Sequence, residues 1–292
     1  MDQAQQLRNV IKSQNQKKLP KARVITITSG KGGVGKSNLA VNLAIQLRKS
    51  GKRVIIFDAD IGLANIEVMF GSLPKYNLGD LIYKGKELKE IISMGPMDIG
   101  FISGGSGIVN LHELSKSQLD LVLDNLTELE ELADVLIIDT GAGISDSVMR
   151  FVVKSPEVIL VTTPEPSSIT DSYSLLKVLF KDERFNGVET RVNLVANKVM
   201  SLDDGQVLYD KLNAVVTKFL GGELNYLGMV PFDMALEKSV RQQKIVSIQT
   251  PTSNAARAFE ILTSNLLKDE HNISTIKQGI SQLFSNFYNR KV

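Results

Sequence analysis

The chain has 292 residues, 43% of them hydrophobic, which is enough to form a buried core in one α/β domain. It contains no cysteine, and this excludes a disulfide framework, a zinc site with thiolate ligands and a cysteine-ligated iron–sulfur cluster. The net charge of +2 does not give the broad basic excess that is typical of nucleic-acid-binding domains.

The chain begins with a basic segment, because its first 23 residues contain six basic residues and only one acidic residue, Asp2. On charge alone, this segment is interpreted as a solvated terminal extension. It lacks the continuous apolar stretch of a secretory signal, and no run of about 18 apolar residues occurs later in the sequence. We therefore expect a cytosolic protein that does not span a membrane.

Seven short runs that are rich in β-branched residues and bounded by turn signals predict buried strands. They comprise residues 24–29, 54–58, 99–103, 135–139, 158–163, 192–197 and 226–230. Stretches with apolar residues three and four positions apart lie between these runs and predict helices. The alternation predicts an α/β fold with a mostly parallel central β-sheet flanked by helices. Ligands of such sheets bind beyond the carboxyl ends of the strands, so polar residues that follow strands are the candidates for chemistry.

A glycine-rich loop follows the first predicted strand, where residues 30–37 read GKGGVGKS and precede a helix predicted over residues 38–49. This is the context of a phosphate-binding loop, in which backbone amides and the helix amino terminus face phosphate oxygens. We predict that Lys36 contacts the β- and γ-phosphates and that the Ser37 hydroxyl ligates Mg²⁺. The predicted nucleotide-binding residues of the loop are Gly32, Gly33, Val34, Gly35, Lys36, Ser37 and Asn38.

Two other predicted strands end in carboxylates. Asp58 and Asp60 follow the second strand, and Asp139 ends the hydrophobic run of residues 135–138, as in a Walker B motif. We predict that Asp139 holds Mg²⁺ through water and that Asp58 supports the Mg²⁺ shell. An aspartate at a strand end also commonly caps the next helix, and this alternative stays open for Asp58 and Asp60.

The early lysine of the loop, Lys31, carries a family resemblance. Residues 31–37, KGGVGKS, resemble the deviant Walker A motif of the MinD/ParA family of ATPases, a SIMIBI branch of the P-loop NTPases. The resemblance implies a Mg²⁺-dependent ATPase that binds ATP and ADP and forms an ATP-dependent homodimer. It implies that Lys31 reaches the nucleotide of the partner subunit and that Asp60 orients the attacking water. The chain departs from the family pattern at Asn38, where many members have threonine, and we expect this to affect fine geometry more than binding.

Later residues extend the resemblance. Asn197, at the end of a predicted strand, matches the asparagine with which the family recognises the base. Pro231, Phe232 and Asp233 resemble the segment that closes over the base, and residues 163–168 resemble a loop at the dimer face. A purely structural role remains open for these residues.

The carboxyl-terminal segment has an amphipathic pattern. Five apolar residues fall on one face of a predicted helix, and no acidic residue follows Glu270. They are Ile276, Ile280, Leu283, Phe284 and Phe287. The pattern is typical of a basic helix that lies in a bilayer interface, and two copies in a dimer would raise its avidity. A terminal helix that packs on the body or on a partner is the alternative.

The amino-terminal segment has a second resemblance. Asp2, Gln3, Ala4, Leu7 and Arg8 match the DQAxxLR signature of the FlhG-type flagellar number regulators within the MinD family. The resemblance implies that this segment stimulates an FlhF-type SRP GTPase, with Gln3 assisting catalysis in trans. It also implies flagellar basal-body (C-ring) components as partners and a role in flagellar number or placement.

Together these patterns predict three parts. Residues 1–20 form a flexible activator segment, residues 21–270 a MinD-like ATPase domain, and residues 271–292 a membrane-targeting helix. The protein would then be cytoplasmic and reversibly peripheral on the inner face of the cell membrane, at an anionic surface. The competing hypothesis is a ParA-like DNA-partitioning ATPase, but the near-neutral charge and the amphipathic end argue against DNA as a partner. A cluster carrier such as the nitrogenase iron protein is excluded because it needs cysteine ligands.

Overall fold

The computed structural model describes residues 22–60, 65–105 and 129–268, and these contain eight strands in one sheet. The strands are β1 Arg23–Ser29, β2 Val54–Ala59, β3 Ser93–Met94, β4 Gly100–Ser103, β5 Val135–Ala142, β6 Glu157–Thr162, β7 Arg191–Val199 and β8 Asn225–Pro231. Their order in the sheet is β3-β4-β2-β5-β1-β6-β7-β8. All neighbours are parallel except β3 and β4, which are antiparallel. The predicted, mostly parallel sheet is confirmed, and the unpredicted β3 is too short to show a periodic pattern.

Helices cover both faces of the sheet, as the alternation of elements predicts. They are α1 Lys36–Lys49, α2 Asn65–Phe70, α3 Leu78–Lys84, α4 Leu88–Ile91, α5 Leu129–Leu132, α6 Asp146–Lys154, α7 Pro166–Lys181, α8 Leu202–Leu220, α9 Met234–Arg241, α10 Val246–Gln249 and α11 Asn254–Lys268. Alternate residues of β1 contribute to different core clusters, since Ile25 packs with α1 and α11 whereas Val24 packs with α3 and α4. A third cluster joins β6 and β7 to α6, α7 and α8. Strands buried on both faces explain why the predicted runs are almost continuously hydrophobic.

A buried ion pair joins the amino-terminal ends of the strands. The Arg23 guanidinium donates to both carboxylate oxygens of Glu157, from Nε at 2.8 Å and from Nη2 at 3.0 Å. Its Nη1 donates to the carbonyl oxygen of Leu266 at 2.9 Å, and Asn193 Nδ2 donates to Glu157 Oε1 at 2.9 Å. The start of β1 is thereby tied to β6, to β7 and to the last turn of α11, at the edge of the sheet opposite the glycine-rich loop.

The two predicted terminal segments lie outside the described residues. This applies to the predicted activator residues Asp2, Gln3, Ala4, Leu7 and Arg8, and to the predicted membrane residues Ile276, Ile280, Leu283, Phe284 and Phe287. The three-part domain division therefore stays a prediction. Within the described part of the chain, no helix combines the length and the apolar character needed to cross a membrane.

Candidate functional site

The glycine-rich loop connects β1 to α1 and holds one lysine inside. Lys36 is only 8% exposed. Its Nζ donates to Ser29 Oγ at 3.0 Å, and Ser29 Oγ in turn donates to the carbonyl oxygen of Lys31 at 2.7 Å. Burial lowers the pKa of Lys36, whereas the nearby charges of Asp139 and Asp60 act in the opposite direction. The lysine that we predict to contact phosphates is therefore held within the loop, with carboxylates close by.

Glycine is required at one position of this loop by a close approach. Gly35 has a φ of 100°, and a Cβ atom there would lie 2.4 Å from Asn197 Nδ2. That amide nitrogen donates to the carbonyl oxygen of Val34 at 2.6 Å, and Asn197 Oδ1 accepts from the backbone amide of Lys198 at 2.9 Å. Asn197 thus braces the loop from the end of β7. Its predicted contact with the base stays a prediction.

The three predicted carboxylates come from two neighbouring strands. Asp58 of β2 lies in register with Asp139 of β5, and Asp60 follows β2 directly. Asp58 accepts hydrogen bonds from the backbone amides of Asp60 and Ile66, each at 3.2 Å. Because Ile66 lies in the first turn of α2, Asp58 also stabilises the start of that helix. Burial raises the pKa of Asp58 to about 6, although these two hydrogen bonds oppose the shift.

Asp139 is the most deeply buried of these acids. Neither of its carboxylate oxygens has a hydrogen-bond partner among the described residues. Burial raises the pKa of Asp139 to about 7, although the nearby Ser37 hydroxyl and the charge of Lys36 act against the shift. Buried oxygens without partners are costly unless a ligand satisfies them. Asp139 is therefore the strongest indication in the described structure that something binds here.

The surrounding donor set fits Mg²⁺. Ser37, Asp58 and Asp139 offer only oxygen atoms, which Mg²⁺ prefers, and Mg²⁺ in proteins usually keeps water and shares phosphate oxygens. In the described ranges, no group of three or more acidic, histidine or cysteine side chains is arranged to hold a metal ion on its own. An ion at this site would need oxygens from a bound phosphate chain, so the geometry favours a Mg²⁺–nucleotide complex over a stand-alone metal site.

Asp60 borders an open cleft of about 490 Å³ in front of the loop. Its Oδ2 accepts from Asn65 Nδ2 at 3.1 Å, and its Oδ1 lies 3.1 Å from the position that a Cβ atom on Gly141 would take. The cleft is lined on the loop side by Ser37 and Asn38. This arrangement places Asp60 beside the same space that Lys36 and Ser37 line.

The far wall of the cleft was not predicted from the sequence. It comprises Val68 and Met69 of α2, together with Val240, Gln243 and Lys244 at the end of α9. None of these residues belongs to a recognisable phosphate-binding motif, and only the fold brings α9 next to the loop. Asn65, the partner of Asp60 five residues earlier, was also not predicted as a site residue.

Lys31, the earlier lysine of the loop, points toward the start of α7. Lys31 Nζ lies 3.1 Å from Glu165 Oε2 and donates to Ser167 Oγ at 2.7 Å. Both partners lie at the start of α7, in the segment that resembles a dimer-face loop. Next to it, Gly30 approaches the backbone of α7 so closely that a Cβ atom there would lie 2.2 Å from the carbonyl carbon of Asp171. The loop and the first turns of α7 therefore form one packed unit.

The segment predicted to close over the base follows β8. Asp233 Oδ1 accepts from the amide of Ala235 at 2.7 Å, and its Oδ2 accepts from the amide of Ala255 at 2.9 Å. The carboxylate therefore caps α9 and also holds the first turn of α11. Pro231 and Phe232 precede it, and the ring of Phe232 is exposed. The roles of these three residues in base binding stay predictions.

Comparison with known proteins identifies relatives of this chain. The ParA family model, described as NUBPL iron-transfer P-loop NTPase, matches residues 21–267. Antiactivator FleN of Pseudomonas aeruginosa is 39% identical over 84% of this chain and 86% of the relative. Flagellum site-determining protein YlxH of Helicobacter pylori is 35% identical over 97% of both chains.

Solved structures share the fold. The cell division ATPase MinD of Pyrococcus furiosus superposes with a TM-score of 0.67 at 24% identity, over 85% of this chain and 99% of that one. MinD of Pyrococcus horikoshii in complex with Mg-ADP gives a TM-score of 0.67 at 21% identity, over 88% of this chain and 99% of that one. At these identities the likeness establishes the fold alone.

Proposed function

The chain belongs to the MinD/ParA family of P-loop NTPases, and FleN and YlxH are among its relatives. We propose that it is an ATP-hydrolysing switch that regulates flagellar number or placement. The observation that carries the proposal is the opposite orientation of two lysines in one loop. Lys36 lies inside the loop, and Lys31 points away from it toward α7.

The proposed chemistry depends on positioning and charge. The loop amides and Lys36 bind the phosphate chain, while Ser37 and Asp139 hold the cation, with Asp58 in support. Bound Mg²⁺ would neutralise charge that develops on the phosphate oxygens during hydrolysis. Asp60, held by Asn65, orients the attacking water at the end of the phosphate chain.

Lys31 supplies the link between hydrolysis and dimer formation. In one chain its ammonium is paired with Glu165, and both side chains are substantially exposed, at 37% and 62%. Such pairs contribute about 1 kcal/mol or less, so phosphates of a second copy can displace the pairing at little cost. We infer that Lys31 leaves Glu165 and neutralises charge on the partner's nucleotide, which makes dimer formation dependent on ATP.

The terminal segments extend the proposal to partners. The amphipathic pattern of residues 271–292 supports reversible binding to an anionic membrane when two copies are joined in a dimer. The signature at residues 2–8 supports stimulation of an FlhF-type GTPase, with Gln3 as the assisting residue. The relative YlxH is named a flagellum site-determining protein, which supports a role at the flagellum. We propose basal-body (C-ring) components as further partners.

Liposome sedimentation tests the membrane part of the proposal. Intact protein and a variant of residues 1–272 are each mixed with anionic vesicles in ATP or in ADP. We expect only intact protein with ATP to pellet, and the shortened variant to keep ATP-dependent dimer formation and hydrolysis. Absence of pelleting in every state, with normal dimer formation, would contradict membrane binding and leave the ATPase intact. Salt-sensitive, ATP-dependent binding to non-specific DNA would favour the partition-type alternative.

Deletion of residues 1–20 tests the activator part. We expect this variant to keep its own ATPase activity and to lose stimulation of the partner GTPase. Gln3→Ala is the matched point variant, because it removes the assisting amide and keeps the rest of the segment. Equal loss of both activities in the deletion would indicate a folding defect and would contradict a separate activator segment.

A further inference from the structure

Gln243 and Lys244 form a corner of the backbone shortly after α9, and this corner lines the proposed nucleotide cleft. Gln243 and Lys244 line the same 490 Å³ space as Lys36, Ser37 and Asn38. The corner lies more than 200 residues beyond the loop in sequence and belongs to no motif that the sequence analysis identifies. It brings an ammonium group to a cleft that is expected to hold a highly charged phosphate chain.

Two backbone hydrogen bonds stabilise the tight turn at this corner. The amide of Gln243 donates to the carbonyl oxygen of Val240 at 3.0 Å, and the amide of Lys244 donates to that of Ser239 at 2.9 Å. Gln243 takes a φ of 52°, in the left-handed region that glycine normally occupies at the end of a helix. This tight turn fixes the direction in which the chain leaves α9.

The residues that follow anchor the corner to α1. Ile245 and Val246 are buried in the core, and the amide of Ser247 donates to Asn42 Oδ1 at 3.1 Å. Asn42 Nδ2 in turn donates to the carbonyl oxygen of Asn38 at 2.8 Å. Because Asn38 also lines the cleft, the backbone that carries Lys244 is connected to the cleft wall through one buried side chain.

The ammonium of Lys244 is available for a ligand. It makes no ion pair within the described ranges, whereas Lys31 is paired with Glu165 and Lys36 is hydrogen-bonded inside the loop. We propose that Lys244 binds the phosphate chain of the nucleotide in its own subunit, as a second cis cation beside Lys36. The inference rests on the proposed ATPase function and adds a residue to its binding site.

This contact would be an electrostatic one at the rim of the cleft. Lys244 is exposed, so its attraction for phosphate is partly screened by water and salt. We expect Lys244→Gln to weaken the binding of ATP and ADP by about three- to tenfold, and Lys244→Glu to weaken it further. Adenosine has no phosphate, so its affinity should not change.

Equilibrium binding tests the inference with full-length protein. Fluorescent ADP is titrated at low salt and at high salt, and adenosine is measured as a competitor. Lys238→Gln is the matched control, because Lys238 is an exposed lysine on α9 that does not line the cleft. The weakening by Lys244→Gln should shrink at high salt, and the control should bind like wild type. Thermal unfolding without nucleotide should be the same for all variants.

Three outcomes would overturn the inference. They are unchanged ADP affinity in Lys244→Gln, equal weakening for ADP and adenosine, and a defect that appears only with ATP at protein concentrations that give dimers. The last result would assign Lys244 to the partner's nucleotide. If wild-type protein bound no nucleotide at all, the proposed function would fail as well, so the two failures are distinguishable.

Discussion

The ε-amino group of Lys31 lies 3.1 Å from the carboxylate of Glu165 in the same chain, although Lys31 belongs to the phosphate-binding loop. Five residues later, Lys36 points into the loop and donates to Ser29 Oγ at 3.0 Å. The two lysines of one short loop therefore occupy different environments, one exposed and one buried. Substituting them separately distinguishes nucleotide binding from the proposed contact across the dimer.

We predict that Lys31→Met binds ADP as tightly as wild type, because its ammonium does not face the cleft of its own chain. Lys36→Met should weaken ADP binding by at least about tenfold, since the buried cation of the loop is lost. Lys31→Met should also lose ATP-dependent dimer formation and ATP turnover. Titration with fluorescent ADP, followed by size-exclusion chromatography with ATP, measures both effects. Equal loss of ADP affinity in the two variants would contradict separate roles for the lysines.

Asp60→Ala should retain ATP binding, lose turnover by at least about 100-fold and accumulate the ATP-bound dimer. The reason is that Asp60 borders the cleft without holding the loop or the buried Asp139. Asn65→Ala is the companion variant, because Asn65 donates to Asp60 Oδ2 at 3.1 Å and fixes its orientation. We expect a smaller loss of kcat with unchanged KM. Phosphate release and dimer content are measured together, and normal hydrolysis by Asp60→Ala would remove it as the catalytic residue.

The sequence predicts this fold well because strand pattern and strand ends are local properties. The runs at 24–29 and 135–139 are recognisable by hydrophobic, β-branched composition, and the loop at 30–37 by glycine spacing. The confirmed sheet follows from the alternation of these runs with helices. Strand β3 was missed because two residues cannot display a period.

Contacts between distant residues could not be predicted in this way. Asn197 is 163 positions from Val34, yet its amide braces the loop. Asp233 matches a base-binding segment, but both of its oxygens are engaged by helix amides. The corner at Lys244 reaches the cleft because α10, which follows it, packs against α1. Each of these contacts depends on how the helices pack on the sheet, and the spacing of residues along the sequence does not predict this packing.

Asp139 should make stability depend on pH when no nucleotide or Mg²⁺ is bound. Burial raises its pKa to about 7, above its value in the unfolded chain, so folding favours the protonated carboxyl. The resulting stabilisation is complete below about pH 4 and is lost as the pH rises through about 7. The amide side chain of the Asp139→Asn variant does not ionise, so the stability of this variant should not fall in the same way as the pH rises.

The free energy of unfolding of Asp139→Asn relative to wild type should therefore increase by about 3 kcal/mol between about pH 5 and about pH 8. Urea unfolding in the presence of a chelator measures the difference. The variant should also fail to hydrolyse ATP, because the proposed cation ligand is lost. Asp134→Asn, at an exposed ion pair with Arg53, is the control and should show no such rise. A constant difference across this range would contradict a buried, protonated Asp139.

The buried pair of Arg23 and Glu157 should contribute to stability without contributing to catalysis. Their side chains are 10% and 2% exposed, and Arg23 also donates to the carbonyl oxygen of Leu266 at the end of α11. Removing one partner leaves a buried charge unpaired, so Arg23→Met should lower the free energy of unfolding by about 3 kcal/mol or more. Arg23→Met combined with Glu157→Gln should recover part of that loss, because no buried charge remains. Urea unfolding of the two variants tests this, with ADP affinity as the control that should stay at the wild-type value. The pair lies at the opposite edge of the sheet from the cleft, so we expect no effect on ADP binding. A loss of ADP affinity together with stability would show that the Arg23–Glu157 pair also supports the nucleotide site.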